Sequence, residues 1–190
     1  MKAHLESIMA VCALLVATIA AAAAAYQTYV INEQFSATVW PYVSFDTTSD
    51  TANGSFSLAV RNVGLGPAIV RSNTITLDGT PVGPGTTGNP VYTAFEGAIR
   101  DSQVAEQKRH KHGQIHMSTS SLSTGDVIPA GSSIVLLQAQ GPDLFSRITA
   151  LRPHFDLSVC YCSVLGRCWM RRFKDPVPEP RDVRSCPLPK

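Results

Sequence analysis

The chain has few charged and aromatic residues and lacks common sequence signatures of catalysis. Only 16% of its 190 residues are charged, 7% are aromatic, and the formal net charge is +2. This balance gives no overall basic surface for nucleic acid. The motifs G-x-S-x-G, H-E-x-x-H and G-x-x-x-x-G-K are absent; they mark serine hydrolases, zinc proteases and phosphate-binding loops. We therefore expect no catalytic residues, no cofactor and no nucleic-acid partner.

Glycine and proline are too scarce for a collagen-like chain, with 13 of each. Hydrophobic residues make up 44% of the sequence, which is too many for a disordered protein. A length of 190 residues suits a single compact folded unit.

The longest uncharged stretch lies near the N-terminus. Residues 7–25 read SIMAVCALLVATIAAAAAA, and no charge occurs until Glu33. A hydrocarbon core of ~30 Å needs about 20 helical residues, so the sequence predicts a helix from Ser7 to Tyr26 that spans the lipid bilayer. Cys12 is expected to be a small apolar residue of this helix.

The charges beside this helix predict its orientation. Lys2 precedes it, and no Lys or Arg follows until Arg61. The positive-inside bias then keeps the N-terminus in the cytoplasm, as in a single-pass protein of the bacterial inner membrane with a periplasmic domain. The alternative is a signal peptide cleaved at Ala23–Ala25. The uncharged run exceeds an ordinary signal-peptide core, which favours an uncleaved signal-anchor.

Short strands separated by turns are predicted after the membrane helix. Phe56, Leu58 and Val60 alternate with small or polar residues, which is typical of a half-buried strand. One helix is expected at 91–111, ending near Gly113. The other strands are predicted at 36–46, 68–79, 115–117 and 134–137, and a hairpin is predicted at 155–173.

These patterns predict three regions of the chain. Residues 1–35 form the cytoplasmic N-terminus and membrane helix, and residues 36–174 form an external domain. This domain is expected to be mainly β, an immunoglobulin-like antiparallel β-sandwich with one helical insertion. Residues 175–190 form an extended, proline-rich tail outside the sheets.

Five short motifs are distinctive between Trp40 and Trp169. They are Trp40-Pro41-Tyr42, VRNVGLGPA at 60–68, Leu77-Asp78-Gly79, IPAG at 128–131 and the hairpin at 161–169. Together they resemble a group of uncharacterised bacterial proteins with one membrane span and an external β domain. This resemblance implies the topology and the fold, and it implies no activity.

Four of the five cysteines follow the predicted membrane helix, where an oxidising compartment would join them. A three-residue loop ending in Gly166 would place Cys162 opposite Cys168 across the hairpin. Cys160 and Cys162 lie on one strand face and cannot easily reach each other. We therefore expect the pairs Cys162–Cys168 and Cys160–Cys186.

Cys160-Tyr161-Cys162 supports a second interpretation. It resembles the Cys-aromatic-Cys pair of the membrane-anchored copper chaperones that supply cytochrome oxidase, and soft thiolates select Cu(I). The resemblance implies a copper-delivery or thiol-redox protein that uses Cys160 and Cys162. Disulfide bonding of both cysteines would prevent this ligation, so no metal site is our first expectation.

Three histidines have the spacing of a metal cluster, H-x-H-x3-H. They are His110, His112 and His116. Because basic residues crowd the same segment, a solvated helix end is the simpler interpretation.

A second basic group lies near the C-terminus. Its residues are Arg167, Arg171, Arg172 and Lys174. They are expected to form a solvated rim that can contact anionic headgroups or an acidic partner.

The patterns together favour a non-catalytic, membrane-anchored binding or accessory module. Its expected partner is another membrane or periplasmic protein. Copper delivery or thiol redox is the second hypothesis. A minor pilin-like subunit is the third, although the Gly-Phe junction and helix glutamate of pilins are missing.

Overall fold

The computed structural model describes residues 2–83, 85, 88–108, 116–175 and 179–187. The chain divides into two compact units, Met1–Thr38 and Val39–Lys190.

The first unit is one helix, α1 (Lys2–Thr38). Its section Ile8–Thr38 is long and apolar enough to cross a membrane. The sequence predicts a strand from residue 36, but the chain remains helical to Thr38 and the first strand begins at Val43. The start of that prediction is wrong because no glycine or proline precedes Pro41. Pro41 disfavours helical geometry at the residue before it.

The second unit contains ten strands and two helices among the described residues. The strands are β1 (Val43–Asp50), β2 (Ser55–Asn62), β3 (Ala68–Leu77), β4 (Thr80–Pro81), β5 (His116–Thr119), β6 (Val127–Ile128), β7 (Ser133–Gln140), β8 (Phe155–Cys162), β9 (Cys168–Arg172) and β10 (Arg181–Val183), and the helices are α2 (Pro90–Lys108) and α3 (Pro142–Leu151).

The strands form two antiparallel sheets. Their orders are β1-β2-β7-β5 and β10-β9-β8-β3-β4, with β6 paired to β3. Both sheets contribute to one buried core, as Leu58 of β2 and Leu157 of β8 illustrate. The backbone N–H of Val43 donates a 3.2 Å hydrogen bond to the Tyr161 hydroxyl oxygen, which connects β1 with β8. Burial raises the pKa of Tyr161 to about 12.

The structure has two helical insertions where the sequence predicts one. The expected helix is α2, and its predicted end at 109–113 lies outside the described residues. The additional helix is α3, which buries Leu144 and Ile148 at an i, i+4 spacing. Only these two positions of α3 are fully buried, so its amphipathic pattern is short.

The C-terminal tail enters a sheet, so the prediction of a tail outside the sheets is wrong. β10 pairs with β9, and Asp182 lies opposite Trp169. The Cys160–Cys186 bond holds this segment beside the hairpin. Three residues are enough to add an edge strand once the segment is held there.

The two ends of the second unit are defined by the strand registers. At the entry end, where the chain arrives from Val39, Val43 pairs with Asn62 and Ile69 pairs with Cys162. At the far end, Asp50 pairs with Ser55 and Leu77 pairs with Phe155. Both helices follow strands that finish at or near the far end.

Two glycines of the VRNVGLGPA motif allow the entering chain to pack on the β2–β3 turn. A Cβ atom at Gly64 would lie 2.3 Å from the Tyr42 nitrogen, and one at Gly66 would lie 2.0 Å from the Val39 oxygen. The N–H of Leu65 donates to the Trp40 carbonyl oxygen at 2.9 Å. The motif is therefore required for a close backbone contact.

Candidate functional site

An apolar groove lies between α2 and α3 near the far end. It encloses about 520 Å³. Leu77 at the end of β3 and Leu151 at the end of α3 contribute large apolar side chains. The remaining lining residues are Thr93, Ala94, Gly97, Ala98, Asp101, Arg147 and Ala150.

Small residues keep this interhelical groove open. Ala94, Gly97 and Ala98 lie at spacings of three and four on α2, so they share one helix face. A Cβ atom at Gly97 would meet no heavy atom within 4 Å. The groove is therefore free space that a side chain from another molecule can occupy.

An ion-pair network borders the groove. The Nε of Arg147 donates to Asp143 at 2.9 Å, and its Nη1 lies 3.5 Å from Asp101. The Asp143 hydrogen bond raises the pKa of the Arg147 guanidinium, so this group stays charged. An apolar floor with one fixed polar border is typical of a pocket that binds an oriented ligand.

Four cysteines form two disulfide bonds at the entry end. The sulfur atoms of Cys160 and Cys186 are 2.06 Å apart, and those of Cys162 and Cys168 are 2.04 Å apart. These are the two predicted pairs: the hairpin spacing favours Cys162–Cys168, which leaves Cys160 to pair with Cys186. The N–H of Ser163 donates to the Arg167 oxygen at 2.8 Å. The next pair, Cys162 and Cys168, therefore occupies the non-hydrogen-bonded position, where side chains are closest.

The two disulfides touch each other. The Sγ of Cys162 lies 3.9 Å from the Sγ of Cys186, and the sulfurs of Cys162, Cys168 and Cys186 all lie within 4.8 Å of one another. A shallow depression of about 350 Å³ opens beside them, with Arg71 and Arg184 in its wall. Both cysteines of Cys160-Tyr161-Cys162 are bonded, so this state offers no thiolate there for a metal.

The C-terminal basic residues do not form one exposed rim. Arg167 pairs with Asp182 at 3.3 Å, and Arg172 pairs with Asp156 at 2.7 Å. Arg171 is only 8% exposed, because alternate residues of β9 point to opposite faces. The ammonium group of Lys174 donates to the Pro153 carbonyl oxygen.

The predicted histidine cluster is only partly described. His110 and His112 lie outside the described residues. His116 lines a polar depression of about 540 Å³ on β2, β5 and β7, together with Ser55, Ser118 and Gln140. This surface has the neutral polar composition of a solvated sheet face.

A glycine motif precedes α2. Gly83, Gly85 and Gly88 have the G-x-G-x-x-G spacing of nucleotide-binding loops. The preceding strand, β4, is a two-residue strand of an antiparallel sheet, not the parallel strand this motif requires. The Asn89 Oδ1 accepts the N–H of Val91 at 2.9 Å. The first backbone N–H groups of α2 therefore already have a hydrogen-bond acceptor.

The chain matches no protein-family model, and it has no significant match among the curated proteins. The resemblance to single-span proteins with an external β domain stays a prediction. The residues that carry it have clear structural roles in the turn at 62–66 and the disulfide hairpin.

The interhelical groove was absent from the sequence predictions because α3 was absent from them. The signal that could have revealed it is the i, i+4 pair Leu144 and Ile148 following Gly141-Pro142. Even so, the packing of α3 against α2 is a tertiary contact that periodicity does not specify.

Proposed function

We propose that this protein is a non-catalytic binding module anchored in the membrane by α1. Its interhelical groove receives small or medium apolar side chains from another membrane or periplasmic protein. The observation that carries the proposal is the open, largely apolar groove bordered by the Arg147 ion pairs. We also propose that the Val39–Lys190 unit is an immunoglobulin-like sandwich on the periplasmic side of a bacterial inner membrane, with α1 as an uncleaved signal-anchor.

Site-specific photo-crosslinking in the native bacterium tests the groove. A photoreactive amino acid is placed at Thr93 or Ala150 in the full chain, because both residues line the groove. Gln103 is the control position, since it is exposed and lies on the α2 face opposite the groove. We expect one crosslinked product of constant size from positions 93 and 150, and none from position 103.

A groove-filling variant makes this test decisive. Gly97→Phe occupies the space that is empty around Gly97, and Gln103→Phe adds the same side chain outside the groove. We expect G97F to abolish the crosslinked product and Q103F to retain it, with both disulfides intact by mass. Equal crosslinking from position 103, or crosslinking that survives G97F, would contradict the proposal.

Thiol–disulfide exchange is the second candidate, favoured by the 3.9 Å separation of Cys162 and Cys186 sulfurs. An external thiolate would attack the Cys168 sulfur, form a mixed disulfide there, and release Cys162 as a thiolate. Cys162 would then attack the Cys186 sulfur and release Cys160 as a thiolate. A second external thiol would resolve the mixed disulfide and leave Cys168 reduced.

Peptide mapping of the Cys12→Ser chain distinguishes exchange from a purely structural role. The protein is treated with a limiting external thiol, alkylated and digested. Exchange predicts a Cys162–Cys186 bridge and alkylation of Cys160. Alkylation confined to Cys162 and Cys168, with Cys160–Cys186 intact, would exclude the relay. Protection of the reduced thiols by added Cu(I) would instead support copper delivery.

A further inference from the structure

The entry end carries most of the exposed large apolar side chains of the second unit. Leu65 is 73% exposed and Trp40 is 42% exposed. Elsewhere in the described part of this unit, only Val104 and Val135 are comparably exposed large apolar residues. The complete entry-end set is Trp40, Val63, Leu65, Val127, Val164 and Leu165.

These residues come from neighbouring segments. The N–H of Val63 donates to the Tyr42 carbonyl oxygen at 2.8 Å, and the N–H of Leu65 donates to Trp40. The turn at 63–67 leads into β3, whose Ile69 pairs with both Cys162 and Val127. The hairpin loop with Val164 and Leu165 directly follows Cys162. The exposed side chains therefore cluster at one end although they are distant in sequence.

The second unit begins directly after α1 in the sequence. Trp40 follows Thr38 by two residues, which span at most about 7 Å. The uncharged stretch of α1 continues beyond the predicted span Ser7–Tyr26, through Ile31 and Asn32 to Glu33. At ~1.5 Å per residue, Thr38 lies about 10 Å beyond Ile31 along the helix. With Ile31 at the edge of the hydrocarbon core, Thr38 lies a few ångströms outside a headgroup layer of about 5 to 8 Å. The two residues from Thr38 to Trp40 are long enough to return the chain to that layer.

We propose that the entry end rests on the outer headgroup layer of the membrane, with Trp40, Val63 and Leu65 inserted into it. The inference rests on the proposed membrane anchoring by α1. Tryptophan is favoured at the membrane–water interface, and exposed apolar side chains gain free energy by burial at the headgroup boundary. The hairpin loop at 164–165 provides a second contact. The interhelical groove then faces away from the bilayer.

Depth-sensitive fluorescence in vesicles tests this contact. The Cys12→Ser full chain receives one cysteine, as L65C or L165C at the entry end, or as A52C or T80C at the far end. Each is labelled with an environment-sensitive dye without reduction and reconstituted into phosphatidylcholine vesicles containing nitroxide lipids. We expect blue-shifted, quenched emission at positions 65 and 165, and water-like, unquenched emission at 52 and 80. Intact disulfides by mass verify the fold.

Vesicle flotation distinguishes failure of the entry-end contact from failure of anchoring by α1. If the chain floats with the vesicles but position 65 is as unquenched as position 52, the entry-end contact is refuted while the anchor stands. If the chain does not float, anchoring by α1 fails and the entry-end contact fails with it. Quenching at 65 and 165 alone, in floating chains, supports both.

Discussion

Asn62 uses its whole side-chain amide to join three segments at the entry end. Its Oδ1 accepts the N–H groups of Tyr42 at 3.1 Å and Gly64 at 3.0 Å. Its Nδ2 donates to the carbonyl oxygens of Gly66 at 2.8 Å and Ile128 at 2.9 Å. The residue is completely buried, so water cannot replace these partners.

Asn62→Ala should lower the free energy of unfolding by on the order of 3 kcal/mol, because it leaves several buried polar groups unpaired. The measurement is urea unfolding of the full chain in detergent micelles, followed by tryptophan fluorescence. Asn53→Ala is the matched control, since Asn53 is exposed and its side-chain amide donates locally to Asp50. Its effect should stay within about 0.5 kcal/mol. Equal losses in both variants would contradict this role for Asn62.

The raised pKa of Tyr161 predicts that the folded chain loses stability in alkali. Burial raises its pKa from 10.0 to about 12 in the folded chain, so the unfolded chain releases this proton first. Below about pH 10 both states keep this proton, so the full stability is present. Between about pH 10 and 12 the free energy of unfolding falls by about 1.4 kcal/mol per pH unit. Urea unfolding at stepped pH measures this slope.

Tyr161→Phe is the control for that slope. It removes the titrating phenol and the acceptor for the Val43 N–H, so it should cost about 1 to 2 kcal/mol at neutral pH. Above pH 10 its remaining stability should fall less steeply than that of the unchanged chain. Parallel losses in the two proteins would show that other groups cause the alkaline sensitivity.

At the scale of elements, the long strands were predictable, whereas several boundaries and the short strands β4, β6 and β10 were not. Alternation of Phe56, Leu58 and Val60 identifies β2, and Gly166, with φ of 81°, permits the hairpin turn that the sequence predicts. In contrast, α1 continues past residue 36, where a strand is predicted to begin, because helix-favouring residues extend to Thr38. β10 depends on the distant bond between Cys160 and Cys186, which local periodicity cannot reveal.

The two disulfides should contribute different amounts to the free energy of unfolding. The Cys160–Cys186 bond spans 26 residues and the Cys162–Cys168 bond spans 6. Loop-closure entropy then assigns about 3.5 kcal/mol to the first and about 2 kcal/mol to the second. Urea unfolding of the double variants C160S/C186S and C162S/C168S in micelles measures both. A larger loss from C162S/C168S would show that chain entropy does not determine their relative contributions.

At the scale of the whole molecule, the disulfide cluster could be proposed from the sequence but the groove could not. The hairpin register places Cys162 opposite Cys168 from local information alone. The groove needs α3 to pack beside α2, with Leu77 from β3 beneath them. Likewise, the basic residues of β9 are adjacent in sequence, yet strand alternation separates the buried Arg171 from the exposed Arg172.

Anchoring and orientation are the central claim, because the proposed partner of the groove and the entry-end contact both depend on them. The most direct measurement is protease accessibility of the tagged full chain in intact spheroplasts, followed by carbonate extraction and mass analysis. We expect external protease to cleave sites after residue 39, while an N-terminal fragment containing α1 stays in the membrane. A protected C-terminal unit, or a soluble chain that begins after Ala25, would contradict the account.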